Sequence, residues 1–200
     1  MTPPPRLHVL IARDAPVAVV FRRGPAKQVA TLSWNLKTDE ISLGQWLKGR
    51  IYAYRSDLSP DGKHMIYFAM NGRWSDAMRG SWTAVSKAPW LMALHVYPWG
   101  DCWNGGGLFL DNQRYWLNGK AARLEVACPL KAVDTPPLGI VPHFGECPGI
   151  YLPKLARDGW MQTGESRAKG ESMWHFEKPA RANWTLRKTF HAGIAKGPNK

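Results

Sequence analysis

Short apolar runs alternate with turn clusters along the whole chain. The runs at residues 17–21, 28–34, 65–68, 82–85, 91–97, 108–110, 124–128 and 184–190 are rich in Val, Ile, Thr and aromatic residues. Runs of three to seven such residues, bounded by Gly, Pro, Asn and Asp, predict strands. Few stretches sustain a 3.6-residue period. The best are residues 43–47, 73–78 and 152–157, which predict one or two helical turns each. The pattern reads as an all-β protein with little helix.

One stretch organises this pattern. Ser59-Pro60-Asp61-Gly62 is a turn with a mechanism: proline presets one dihedral, aspartate bonds its own backbone, and glycine supplies positive φ. The apolar run Met65-Ile66-Tyr67-Phe68-Ala69 follows it as a strand. Similar runs recur. Phe21, Phe68 and Trp160 follow Arg13-Asp14, Ser56-Asp57 and Arg157-Asp158, and Trp34, Trp82 and Trp174 follow those aromatics at offsets of 13, 14 and 14 residues. With a fourth, poorer copy at Gly107-Leu108-Phe109, the markers at 21, 68, 109 and 160 stand 47, 41 and 51 residues apart. Periods of roughly 40–50 residues are those of propeller blades.

The residues Asp57-Leu58-Ser59-Pro60-Asp61-Gly62-Lys63 followed by Ile66-Tyr67-Phe68 resemble the turn-and-strand signature of WD40-like and TolB-type propeller blades. The resemblance implies a small propeller-like array of about four short blades; a β-sandwich or an irregular barrel are the alternatives. The run Ser42-Leu43-Gly44-Gln45-Trp46-Leu47-Lys48-Gly49-Arg50-Ile51-Tyr52 also resembles uncharacterised bacterial proteins, which implies no activity. The expected organisation is a disordered Pro-rich lead at 1–6, a single all-β domain at 7–192 and a basic, disordered tail at 193–200.

Composition narrows the partners. Lys and Arg number 27 against 15 Asp and Glu, a net charge of +12. Such a balance points to an anionic partner, nucleic acid ahead of an acidic protein. No run approaches the roughly 18 apolar residues of a membrane span, and the start of the chain does not read as a signal peptide. Three cysteines, an odd number, argue against a disulfide framework and for a cytoplasmic protein. They lack any paired spacing, so no zinc is expected, although Cys102, Cys128, His143 and Cys147 are the residues that would hold it. No cofactor motif is present. Eleven tryptophans, six of them between Trp74 and Trp116, suit strands and tight turns.

Three constellations are candidates for binding. Arg50, Tyr52 and Tyr54 share one face of a strand by its period of two and, with Trp46 beside them, can stack bases and hold phosphates. In Trp99-Gly100-Asp101-Cys102-Trp103-Asn104-Gly105-Gly106-Gly107 the glycines let backbone approach a ligand between Trp99 and Trp103, with Asp101 as acceptor, or let the chain take positive φ in a wide turn whose tryptophans plug the core. After Glu177 the chain carries no acid, and Arg187 and Lys188 are candidate phosphate contacts. For catalysis the titratable candidates are Asp57, Asp61, His64, His95, Asp101, His143 and Glu146, which form no nucleophile, triad or paired-carboxylate pattern. The reading is a binding or scaffolding module. The alternatives are a hydrolase with its site at residues 57–64 and 99–107, and a protein-interaction subunit of a larger complex. The oligomeric state has no signature in the chain.

Overall fold

The computed structural model describes residues 4–24, 27–124, 128–140, 146–168, 171–179 and 185–192. The protein is all-β: its described residues form four small sheets and one α-helix. The chain divides into two compact units, residues 1–151 and 152–200.

The first unit opens with a four-stranded antiparallel meander, β1 (Arg6–Ile11), β2 (Val17–Arg23), β3 (Gln28–Asn35) and β4 (Ile41–Lys48). A second meander repeats it: β5 (Arg50–Leu58), β6 (His64–Met70), β7 (Ser81–Lys87) and β8 (Ala93–Pro98). The third sheet is shorter. β9 (Gly107–Phe109) pairs antiparallel with β10 (Arg114–Leu117), and β11 (Lys131–Val133) joins β10 in parallel.

β6 shows why the sheets stack. Met65, Ile66, Tyr67, Phe68 and Ala69 are all buried, so this strand lacks the polar alternation of a half-exposed one. Successive side chains point to opposite faces. Met65 and Tyr67 join a core with Leu10, Val19, Phe21 and Val29 of the first sheet. Ile66 and Phe68 join a second core with Phe109 and Tyr115 of the third. The middle sheet is therefore buried on both sides, and β5 packs beside β1 on one flank and β9 on the other. Polar ties reinforce the stack: the backbone N–H of Asp14 donates to the Pro60 carbonyl, that of Asp61 to Asn112, and that of Phe109 to the buried Asp57 carboxylate at 2.9 Å.

A helix, α1 (Pro148–Arg157), spans the boundary between the units. In the first unit its Ile150 is fully buried against Leu108 and Trp116. The second unit holds an antiparallel sheet of β12 (Met161–Ala168), β13 (Glu171–Pro179) and β14 (Thr185–Ala192).

The strand readings at 17–21, 28–34, 65–68, 82–85 and 108–110 fall on β2, β3, β6, β7 and β9, the last ending one residue early. Residues 91–92 precede β8, and Leu124 makes an isolated bridge to Val96. Residues 125–127 and Trp184 lie outside the described residues. Of the expected helical turns, 152–157 lies within α1, and the other two are corrected. Residues 73–78 form successive turns, with Asp76 donating to Arg73 and Arg79 to Asp76. Residues 43–47 belong to β4. Leu32 pairs with Leu43 but Ala30 with Trp46, so β4 carries one extra residue between them. That bulge shifts the strand's alternation and imitates a helical period.

The register also re-aligns the repeat. Phe21 pairs with Thr31, and Phe68 with Thr83, on the second and third strands of the two meanders. Trp34 lies three residues after its threonine and Trp82 one before, so the tryptophan match is four residues out of register. Phe109 stands on the first strand of its sheet and Trp160 precedes β12, so the wider spacings joined unlike positions.

Candidate functional site

In an up-and-down meander every second connection lies at the same end. Here β2–β3, β4–β5 and β6–β7 meet at one rim. Lys27 stands at the start of β3's approach, with left-handed backbone at φ 59°, and its carbonyl accepts the N–H of Gly49 at 2.8 Å. Gly49 is the single residue between β4 and β5, which places Lys48 and Arg50 on either side of it. The β6–β7 loop begins Asn71-Gly72-Arg73, where the Asn71 side chain accepts the Arg73 N–H at 2.9 Å. The result is a cleft of about 370 Å³ ringed by Lys27, Lys48, Arg50 and Arg73, with Tyr52 and Asn71 in its wall. Among the described residues, no Asp or Glu lines it. Asp76 lies 3.9 Å from Arg73, but both side chains are exposed and such a pair contributes little.

Tyr52 is a firm wall. Its ring lies 5.3 Å from Phe68, and the buried Arg55 guanidinium stacks 4.7 Å over Phe68 and 5.4 Å over Tyr52 while donating to the Asn104 carbonyl at 3.1 Å. Of the face predicted on β5, Arg50 and Tyr52 line the cleft and Tyr54 does not. Tyr52 pairs with Phe68 but Asp57 with Ile66, so the intervening residues of β5 bulge out of register. Ser56 bridges the bulge by donating to the Tyr52 carbonyl at 3.0 Å. Tyr54, inside it, packs edge-on to Tyr151 at 4.7 Å and to His8 at 5.3 Å. Trp46, half exposed, stands two residues before Lys48 on the same face of β4.

The β8–β9 connection reaches the same rim: a side chain at Gly100 would come within 3.1 Å of the Arg79 guanidinium. Trp99 is buried, and its indole N–H donates to the Thr83 hydroxyl at 2.8 Å. Trp103 is 63% exposed, so the two indoles occupy different environments. Asp101 accepts the N–H groups of Trp103 at 2.9 Å and Asn104 at 3.3 Å, which folds the turn. The three glycines run through the core. A side chain at Gly105, Gly106 or Gly107 would overlap Phe68, Arg55 or Trp116.

Several of the remaining titratable groups are held in structural bonds, whereas the His64 Nδ1 is buried without a hydrogen-bond partner among the described residues. Asp57 ties β5 to β9. Asp61 accepts from Ser59 at 2.7 Å and from the Lys63 N–H at 3.1 Å. Burial opposes its ionisation, but the Ser59 and Lys63 bonds and the Lys63 charge hold its carboxyl below the usual range. His95 is buried, with Nδ1 2.6 Å from the Tyr115 hydroxyl, itself 2.7 Å from that of Tyr97. Burial, then the Arg123 charge, pushes His95 below the ordinary histidine value, and burial first, with the Tyr97 bond, pushes Tyr115 up. Cys147 sits at the start of α1, its carbonyl accepting the N–H groups of Ile150 and Tyr151; burial raises its thiol pKa against the pull of Arg55. Glu146 is exposed. Among the described residues no three His, Cys, Asp or Glu are grouped to hold a metal ion, and His143 lies outside them.

In the second unit Arg187 bonds Glu177 at 2.9 Å, and the Lys188 ammonium lies 4.8 Å over the Trp160 ring. Partial burial of that ammonium, then repulsion from Lys154, holds its pKa below the usual lysine value against the attraction of Asp158. The tail at 193–200 lies outside the described residues.

Sequence reasoning reached Arg50 and Tyr52 through their spacing but missed Lys27 and Arg73 as cleft residues. The available signal was topological. Both are basic residues at connections an even number of strands apart, which a meander brings to one end.

Fold and site together define a class, an all-β protein of short stacked sheets with a cationic cleft at one rim. No protein-family model matches the chain, and neither a curated protein nor a solved structure matches it.

Proposed function

We propose that the protein is a binding module for an anionic partner, with nucleic acid as that partner. The observation that carries this reading is the cleft: four cationic side chains from three separate connections and, among the described residues, no carboxylate in its lining. Like charges brought together repel one another. An arrangement of this kind is stabilised by an anion, and phosphates are the anions that Lys and Arg hold in series. We further propose that the stacked sheets form a propeller-like array. The repeated four-strand meanders and the turn-and-strand motif at Asp57 to Phe68 support it. The array presents a rim and does no chemistry of its own. No observation favours the hydrolase alternative, since Asp57, Asp61 and Asp101 each accept backbone N–H groups that hold turns and strands.

The test is fluorescence polarisation of labelled single- and double-stranded DNA and RNA, at low and at physiological salt. Binding is expected at low salt and weakens steeply as salt rises, because released counterions drive it. An absence of binding at low salt overturns the nucleic-acid reading. Binding of an acidic protein in its place would then identify the cleft's partner as a polypeptide.

A further inference from the structure

Two half-exposed tryptophans stand close in sequence to cleft residues, although neither is among the residues that line the cleft. Trp46 precedes Lys48 by two residues on β4 and is half exposed. Trp74 directly follows Arg73 and is 53% exposed. Trp74 is not a loose side chain. Its six-membered ring lies directly against Gly80, where any Cβ would clash with it, so the indole is braced on one side and open on the other. Gly80 itself is held in the loop by its carbonyl, which accepts the N–H groups of Asn71 and Gly72 at 3.1 Å. Arg73 and Trp74 are therefore consecutive residues of one hydrogen-bonded loop.

Both tryptophans expose large apolar surface close in sequence to a cleft cation, Trp46 to Lys48 and Trp74 to Arg73. A flat aromatic surface beside a phosphate-holding cation suits an unpaired base. Stacking needs the face of the base, which a duplex keeps covered, and it tolerates any sequence. A duplex offers this rim phosphates alone. We infer that the cleft takes single-stranded nucleic acid, with successive bases stacked on Trp74 and Trp46 and the intervening phosphates held by Arg73, Arg50 and Lys48. This rests on the nucleic-acid reading above and adds the strand state.

The experiment uses the full chain with a labelled oligothymidylate of about twelve nucleotides, the same strand annealed to its complement, and the variants W74A, W74F, W46A and R50A/R73A. The single strand is expected to bind at least about tenfold more tightly than the duplex. W74A is expected to lose about tenfold in affinity for the single strand and little for the duplex, and W74F to retain most of it. W46A should weaken the same probe, and R50A/R73A should weaken both. Equal affinity for the two probes, or W74A and W46A binding like the parent while R50A/R73A fails, overturns the stacking inference and leaves the cationic cleft standing. Loss in W74F equal to that in W74A also overturns it, because a retained aromatic ring would then not suffice. If the parent binds neither probe at low salt, the nucleic-acid reading itself falls and this inference falls with it.

Discussion

At the scale of single residues, the buried polar groups explain the order of the core. Thr83 is fully buried, and its one hydroxyl accepts both the Trp99 indole N–H and the Gly106 backbone N–H, at 2.8 and 2.7 Å. A buried donor left without such a partner costs about 1–3 kcal/mol, so this oxygen fixes where the β8–β9 connection enters the core. His95 ties stability to pH. Its folded pKa is lowered by burial, so the unfolded chain takes up a proton at about pH 6.5 while the folded chain does not. Stability contributed by the neutral ring is complete above that pH and is lost as pH falls toward the lowered folded value. His64 shifts the same way through burial, with Lys87 and Lys63 adding to it against Asp61. Urea unfolding at pH 7.5 and 5.5 is expected to show lower stability at 5.5, and H95Q is expected to reduce that difference. An unchanged difference in H95Q would show that His95 does not carry it.

At the scale of elements, strands were legible wherever apolar runs were continuous, as in β2, β6 and β7, because burial on both faces writes itself directly into sequence. Bulges were not legible. The extra residue in β4 made Leu43, Trp46 and Leu47 look helical, and the wider bulge in β5 removed Tyr54 from the face it was expected to share with Arg50. Each depends on which partner strand a residue faces, and one chain read alone does not record that. The glycine run allows either close approach to a ligand or positive φ; Gly105 and Gly106 take positive φ, at 96° and 82°, and the run carries backbone through the core. That packing is measurable. Ala in place of Gly107 would drive a Cβ into the Trp116 carbonyl, and G107A is expected to cost about 3 kcal/mol in urea unfolding. Gly72, in the cleft-side loop at φ 73°, has nothing within 4 Å of such a Cβ, and G72A is expected to cost only the left-handed backbone penalty of about 1–2 kcal/mol. Equal costs would mean that the 105–107 segment is not packed as described.

At the scale of the whole molecule, the question is where the excess charge lies. The net +12 was legible from composition, but its placement was not. In the first unit, Lys27, Lys48, Arg50 and Arg73 gather at the cleft. At the other end of the same strands, basic residues alternate with acids, as in Lys37 with Asp39 and Glu40, or Lys63 with Asp61 at 3.6 Å. A cation surrounded by acids adds little field at a distance, whereas four together on a concave surface add a great deal. No described helix is long and apolar enough to cross a membrane. Affinity is expected to follow the position of the charge rather than its sum, and two charge-matched variants separate the two. Two double variants make the same change in net charge: R50E/R73E at the cleft and K37E/K87E at the opposite end. Affinity for a labelled single strand is measured for both at low salt, with circular dichroism confirming that each is folded. If the cleft is the site, R50E/R73E weakens binding at least about tenfold and lowers the salt dependence of what remains, while K37E/K87E binds within about threefold of the parent. Equal losses in the two variants would contradict the account, since binding would then follow total charge and not the cleft.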